Sequence, residues 1–388
     1  MSPPSKPIAA SANEGAPSKF MTAGVFGASA VLLLIPTTIL SILAQQRNQP
    51  LTTNFSRPED NTCAGSQLPL ANIDCIHTEG RRLEANVTNG AVQVGPQAGG
   101  NVTEGYKGKL EVDYVPNTKN YWESSMCPVN VHWHLGTEHY SLGQYDEAGK
   151  GPQRAQDAST VPDNQKVRPG YRCHHFDKDD RRFTTEYRWE HCINMQVGET
   201  YEVHWPHSSQ GACGTFNQYQ TPFYDGVFCN LDAATFGTLT PQDIANNVGV
   251  QAQVFTIVND ENFFYPNLMN GWVVDKEYGQ DIAYYTGSTT GTTRDNDICS
   301  QYTPITWQVD RKCHLISASS FDKLCAAMKL QRDDMSLDMH PHGSRELVVD
   351  ELVANNQQRR ELHEEEHDHH HHDHDGHDHH DHDHERYY

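Results

Sequence analysis

The sequence predicts a mainly β fold of the α+β class with few helices, cross-linked by disulfides and flanked by an N-terminal apolar helix and a disordered His-rich tail. Short β-branched and aromatic runs, several of them alternating, are bounded by Gly, Pro, Asn and Asp. Few stretches have helical periodicity. The ten cysteines are an even number and none forms a C-x-x-C unit, which favours disulfides over a thiolate metal site.

The N-terminus predicts a location outside the cytosol. Residues 1–19 are small, polar and Pro-rich, and we expect them to be disordered. Residues 20–44 are uncharged and long enough to cross a bilayer. Lys6 and Lys19 precede them, which is typical of a signal anchor with a cytosolic N-terminus. A signal peptide cleaved after Ala44 stays open as the alternative. With an anchor or with a cleaved signal peptide, we expect the residues after 44 to lie in an extracellular or lumenal compartment. The anchor would leave them attached to the membrane, and cleavage would release them as a secreted protein.

Residues 45–105 are predicted to form a loosely structured stalk, because they are rich in Asn, Gln, Thr and Gly and have little periodicity. Cys63 and Cys75 lie in this extension. N-x-S/T sequons make three asparagines candidates for glycosylation: Asn54, Asn86 and Asn101. All ten cysteines follow the apolar segment, and each is a disulfide candidate: Cys63, Cys75, Cys127, Cys173, Cys192, Cys213, Cys229, Cys299, Cys313 and Cys325.

Residues 106–355 are predicted to form one catalytic domain, since no linker rich in Gly, Ser or Pro interrupts them. The strand-like runs are 108–115, 128–135, 199–206, 250–258 and 305–309. A helix is predicted over 320–330 from apolar residues at helical spacing.

The C-terminal residues 361–388 predict a disordered tail. Eleven acidic residues against one Arg give this tail −10 of the net charge of −22, and 363–384 hold twelve of the 24 histidines. Three interpretations stay open: a divalent-metal site, a mobile proton buffer, and a solvated tail without a specific task. The rest of the chain is mildly acidic, which argues against nucleic acid as a partner.

The strongest chemical signal is a pair of strand-like motifs rich in histidine. Side chains alternate along a strand, so His132 and His134 share one face. Glu202 and His204 likewise share a face of a second strand. If the strands are neighbours, three neutral imidazoles converge and Glu202 accepts the N–H of one of them. Three such ligands on Zn²⁺ leave a position for water and lower its pKa from about 15.7 to about 7.

At these residues the sequence resembles the delta-class carbonic anhydrases over roughly 60–355. The resemblance implies zinc-dependent reversible hydration of CO2 to bicarbonate and a proton, with His132, His134 and His204 as the metal ligands. The stretches that carry it are 132–139, 192–208, 219–229, 250–266 and 307–325.

The same strands are locally similar to the alpha-class enzymes, which implies a central, largely antiparallel sheet. That pattern continues with Glu138 and His139. It implies that Glu138 accepts a hydrogen bond from a gatekeeper threonine that orients the hydroxide. The run 237–241 is similar to the alpha-class stretch and makes Thr240 a candidate, although a plain turn stays open. Seventy residues separate His134 from His204, far more than in the alpha pattern.

Turnover also requires a group that removes a proton, and a histidine suits this role. His207 is the preferred candidate, and the absence of a dedicated shuttle stays open. His139 is expected to have a structural hydrogen-bonding role, as is His314, while His174 and His175 lie in the insertion.

Two other functions compete with the enzyme. A non-catalytic extracellular protein that binds metal or bicarbonate would have the same fold, but here all three histidines and Glu138 are present. A zinc hydrolase of esters or peptides is disfavoured, since the chain has neither H-E-x-x-H nor a recognisable nucleophile beside a base.

Overall fold

The computed structural model describes residues 61–65, 73–74, 100–152, 167–288, 298–299, 304–332, 335–345 and 347–359. These residues belong to one compact unit, 55–388. Within them, no helix combines the length and the apolar character needed to cross a bilayer. The predictions for 1–19, 20–44, Asn54, Asn86, Cys75 and 361–388 concern residues outside the described ranges.

A seven-stranded sheet forms the centre of the fold and confirms the prediction of a sheet-rich α+β protein. Its strands are β2 (Cys127–Pro128), β3 (His132–Leu135), β6 (Thr200–Ser208), β7 (Val248–Val258), β8 (Ile282–Gly287), β10 (Ile305–Ser317) and β11 (Gln358–Arg359). The order is β11-β8-β10-β7-β6-β2, and β3 also pairs with β6. Among these strands only β7 and β10 pair in parallel. The sheet is therefore largely antiparallel.

Two pairs of short strands lie outside the central sheet. They are β1 (Ile73–Asp74) with β9 (Ile298–Cys299), and β4 (Tyr145–Asp146) with β5 (Arg172–Cys173). The β7–β10 register shifts between Val309 and Cys313, where three residues of β10 have no partner on β7.

Helices are short in the described part of the chain. They are α1 (Arg181–Thr184), α2 (Phe223–Val227), α3 (Ala233–Phe236), α4 (Pro241–Asn247) and α5 (Ala318–Lys329). Single 3₁₀ turns occupy Tyr121–Ser124, Glu261–Phe263, Leu268–Asn270, Met335–Asp338 and Asp350–Leu352. The helix predicted over 320–330 is confirmed as α5. It begins two residues earlier because the Ser317 side chain accepts a hydrogen bond from the Ser320 N–H.

Four of the five predicted strands are present, and the strand predicted over 108–115 is wrong. The Lys109 and Leu110 N–H groups bond to carbonyl oxygens of Asp350 and Val353, in an irregular segment. In this stretch Leu110 forms an isolated bridge with Ala354, and no ladder develops from it. The prediction missed β8, whose six residues are all buried and therefore lack alternation.

The central sheet is covered on both faces. On β3 and β6, Trp133, Val203 and Trp205 pack in one apolar cluster with residues of α5. Val250, Ala252 and Val254 of β7 belong to a second cluster, which includes Trp307. All nine residues of β6 are buried, so both of its faces are shielded from water.

Four disulfides cross-link the described residues and confirm the disulfide prediction for eight cysteines. Their separations of 86 to 166 residues close long loops, and such closure restricts the unfolded chain. Cys63 joins Cys229 and so ties residues 61–65 to the rest of the sheet domain. The pairs are Cys63–Cys229, Cys127–Cys213, Cys173–Cys313 and Cys192–Cys325.

Candidate metal centre

Strands β3 and β6 bring His132, His134 and His204 together. The strands are antiparallel, with His132 opposite His204 and His134 opposite Glu202. One nitrogen from each histidine lies within 4.8 Å of the others. The three residues are only 7, 1 and 2% exposed. This cluster is the convergence of imidazoles that the sequence motifs predict.

Neighbouring oxygens fix the tautomers of His132 and His134. His132 Nδ1 lies 2.9 Å from Asn130 Oδ1, and His134 Nδ1 lies 2.9 Å from the Gly343 carbonyl oxygen. Because these oxygens only accept, each Nδ1 is the donor and each Nε2 keeps its lone pair. Burial lowers the pKa of His134 to about 4, so this ring is neutral at pH 7.

His204 shows that the cluster fits a cation. Its Nε2 is buried and has no hydrogen-bond partner, although it lies 3.1 Å from Glu202 Oε1. That contact is close but misaligned. In the neutral ring, the nitrogen beside this carboxylate carries the proton, so Nδ1 of His204 keeps the lone pair that a metal would bind. Three neutral nitrogen donors are a ligand set that suits Zn²⁺.

Glu202 lies behind the ligands and is fully buried. Its Oε2 accepts the Glu138 N–H at 2.5 Å, and its Oε1 lies 2.5 Å from His139 Nδ1. Burial alone would raise the pKa of Glu202, but His139 and His204 lower it well below its ordinary range. Glu202 is therefore an anion that faces His204, as a partner that orients a ligand must be.

His139 and Glu138 support this arrangement from the turn after β3. His139 Nε2 lies 2.6 Å from the Tyr285 hydroxyl. Both ring nitrogens of His139 therefore have hydrogen-bond partners, and the ring fixes the position of the Glu202 carboxylate. Burial raises the pKa of Glu138, but His134 and Arg345 outweigh it and lower the value to about 2. Glu138 Oε1 accepts the Arg345 N–H at 3.0 Å.

The structure gives Thr240 a capping role instead of the predicted gatekeeper role. Thr240 is exposed at the N-terminus of α4, and its hydroxyl donates to Asp243 Oδ2 at 2.6 Å. A threonine hydroxyl has one proton, so Thr240 does not donate to Glu138. The similarity of 237–241 to the alpha-class stretch reflects a helix start.

His207, the predicted proton shuttle, points away from the cluster. It lies three residues beyond His204 on a strand of regular register, so the two side chains are on opposite faces. His207 Nδ1 donates to the Trp205 carbonyl at 2.7 Å, and its ring lies 5.0 Å from Tyr121. Burial lowers its pKa to about 4. This position therefore does not favour the shuttle role predicted for His207.

The remaining predicted residues lie apart from the triad in other contacts. His174 Nε2 is 2.6 Å from Asp146, and His314 Nε2 is 2.8 Å from Asp310. The side-chain oxygen of Asn101 accepts the Thr103 N–H, and its glycosylation remains a prediction.

Sequence reasoning missed a third contributor, the segment from 340 to 345. His342 exchanges backbone hydrogen bonds with Trp133 and Leu135, which sets it beside β3. Its ring centroid lies 5.2 Å from that of His132 at 16° between planes. The half-buried His340 follows at 5.4 Å from His342. A second H-x-H motif, 340–342, was the available signal.

Comparison with known protein families gives a match. A family model described as delta carbonic anhydrase matches residues 123–320, which is just over half of the 388-residue chain. No curated protein matches the chain. The matched region contains β3 and β6 with all three histidines, whereas the segment from 340 to 345 lies beyond it.

Proposed function

Because the chain belongs to the delta carbonic anhydrase family and is a carbonic anhydrase, we propose that it hydrates CO2 reversibly at a zinc ion bound by His132, His134 and His204. The observation that carries this proposal is the convergence of three buried imidazoles on one face of the sheet. The products are bicarbonate and a proton.

Zinc held by three neutral nitrogens supplies a hydroxide nucleophile near pH 7. The protein's own contribution is to hold the ligand rings in fixed orientations. His132 and His134 donate to an amide and a backbone carbonyl, neither of which removes the Nδ1 proton. Glu202 faces His204 as a buried anion, held by the Glu138 N–H and by His139. These contacts preorganise the ligands before the metal binds.

Aromatic rings beside the triad provide apolar surface for CO2, which is uncharged and has no hydrogen to donate. The Phe223 ring lies 5.8 Å from His132, and Trp307 lies 5.1 Å from His204. Ala252 stands opposite His204 on β7. Such a lining excludes water around the substrate and strengthens the electrostatic interactions in the site.

The proton leaves, in this proposal, toward His340 instead of His207. His340 is half-buried, and the His342 ring lies 5.4 Å from its ring and 5.2 Å from that of His132. An imidazole at the boundary between the site and solvent can pass a proton to buffer.

We also propose that the catalytic domain works outside the cytosol, anchored by residues 20–44 or released from them. The four disulfides support this location, because such bonds persist in oxidising compartments. Membrane attachment, glycosylation and a role for the His-rich tail remain proposals from the sequence.

Stopped-flow CO2 hydration by the purified full chain tests the function. We expect activity that a chelator removes, that added Zn²⁺ restores and that a sulfonamide inhibits. Zinc binding without hydration would instead favour a non-catalytic metal- or bicarbonate-binding protein. Activity that persists after complete removal of metal would contradict the proposal.

A further inference from the structure

Residues beyond the matched family region complete the surroundings of the metal ligands. After the 3₁₀ turn Met335–Asp338, the chain lies along β3, where His342 forms backbone hydrogen bonds with Trp133 and Leu135. From this segment Gly343 accepts from His134, and the Ser344 hydroxyl donates to the Leu135 carbonyl. The segment therefore contacts the ligand strand directly.

Asp338 is the buried carboxylate of this segment, at 2% exposed. Its Oδ2 accepts from the Thr221 hydroxyl at 2.6 Å and from Asn130 Nδ2 at 3.2 Å. Its Oδ1 lies 3.2 Å from His342 Nε2. Asp338 thus contacts two residues that touch His132, which are Asn130 and His342.

The amide of Asn130 connects Asp338 to His132. Asn130 donates its two amide protons to Asp338 Oδ2 and to the Gln220 carbonyl, the latter at 2.7 Å. Its Oδ1 must then face His132 Nδ1, at 2.9 Å. A flipped amide would present NH2 to His132 and two oxygens would face each other across the Asp338 contact. Because the Asp338 carboxylate oxygen and the Gln220 carbonyl oxygen both accept from this amide, they together select one of its two orientations.

We propose that Asp338 is a positioning residue of the metal centre, which acts through Asn130 to keep the Nδ1 of His132 protonated and its Nε2 free for the metal. The flipped amide would favour the opposite tautomer, in which Nε2 carries the proton and cannot bind a cation. This inference rests on the proposed function, since it assumes that His132 binds metal. It also makes the segment around 338 part of the site, although the family model ends at residue 320.

Asp338→Asn in the full chain tests the inference, because an amide at 338 can donate as well as accept. We expect zinc affinity, measured by competition with a chromogenic chelator, to fall on the order of 10-fold. In the metal-free protein, ¹⁵N NMR of labelled histidine should show that His132 shifts from the Nδ1–H toward the Nε2–H tautomer. A purely structural role would leave this tautomer unchanged.

Asp322→Asn is the matched control. Asp322 is also a buried carboxylate, 5% exposed, but it accepts from the backbone N–H groups of 190–192. That variant should lose thermal stability and keep the zinc affinity of the wild type.

The exchanged pair Asn130→Asp with Asp338→Asn gives a second test that holds if the single variant does not fold. It restores an acceptor beside His132 and a donor at 338, although the Gln220 carbonyl loses its donor, so we expect zinc affinity within about 3-fold of the wild type. The inference would be overturned if Asp338→Asn had the zinc affinity and the His132 tautomer of the wild type. It would also be overturned if the exchanged pair bound zinc no better than His132→Ala does. Failure of the wild type to bind zinc would instead contradict the proposed function.

Discussion

The two faces of β6 carry the same residue type and use it differently. His204 faces the other imidazoles of the triad, and Glu202 on the same face is anionic. His207, three residues later, is packed against Tyr121 and donates to a backbone carbonyl. Both rings are buried. The comparison teaches that burial alone does not make a histidine a metal ligand. What matters is which side chains lie beside it on the same face of the strand.

The largest expected effect separates these two histidines. His204→Ala should lower the zinc content by one ion per chain, because two imidazoles on one strand leave the ion without a third protein ligand. His207→Ala should retain one zinc per chain and lose thermal stability instead. Metal analysis after gel filtration measures the first effect, and calorimetry measures the second. Equal zinc content in both variants would remove the distinction between the faces.

His207 should make stability depend on pH. Its pKa is lowered by burial to about 4 in the folded protein, against about 6.5 in the unfolded chain. Between these values the unfolded state binds more protons, so stability is lost as the pH falls from 6.5 to 4, by up to roughly 3 kcal/mol.

His207→Asn, which can still donate to the Trp205 carbonyl, should weaken this dependence. Urea unfolding at pH 7 and pH 4.5 in excess chelator makes the comparison without interference from bound metal. An identical pH dependence in the wild type and the variant would show that His207 does not titrate as described.

Glu202→Gln probes the metal face with a smaller change. The amide has nearly the same shape but no charge, so the orientation of His204 and His139 should weaken. We expect zinc affinity to fall about 10- to 100-fold, measured by chelator competition. Gln253→Glu, which alters a buried residue of the neighbouring strand β7 that faces Asp310, serves as a comparison and should lower stability more than zinc affinity.

His340→Ala should have the smallest effect. We expect CO2 hydration to fall a few-fold in dilute buffer and to recover when imidazole is added, because a mobile base replaces the missing one. His207→Ala should not show this buffer dependence. A His340→Ala enzyme with wild-type rates in dilute buffer would mean that protons leave by another route.

Local patterns in the sequence predict the strands that carry the ligands. H-x-H at 132–134 and E-x-H at 202–204 rely on a period of two, which any β-strand imposes. They therefore identify the shared face before the partner strand is known. The same approach fails for the fully buried β8 and for the irregular segment 108–115, because alternation depends on which neighbours cover a strand.

The surroundings of the ligands were less predictable, since they depend on contacts between distant residues. Asn130, Gly343 and Asp338 have no motif, and one of them acts through its backbone carbonyl. Thr240 shows the opposite error. A five-residue similarity suggested a role in the site, but these residues form the start of a helix. The cysteine pairs were likewise undetermined by spacing, because their partners lie 86 to 166 residues apart.

X-ray absorption at the zinc edge of the metal-loaded wild type tests the central claim most directly. Three imidazoles on one face of the β3–β6 pair predict a zinc bound only by nitrogen and oxygen at about 2.0–2.1 Å, with multiple scattering from three histidines. The spectrum of His204→Ala should lose one histidine or the zinc altogether. Sulfur at about 2.3 Å, or an unchanged spectrum in that variant, would contradict the account.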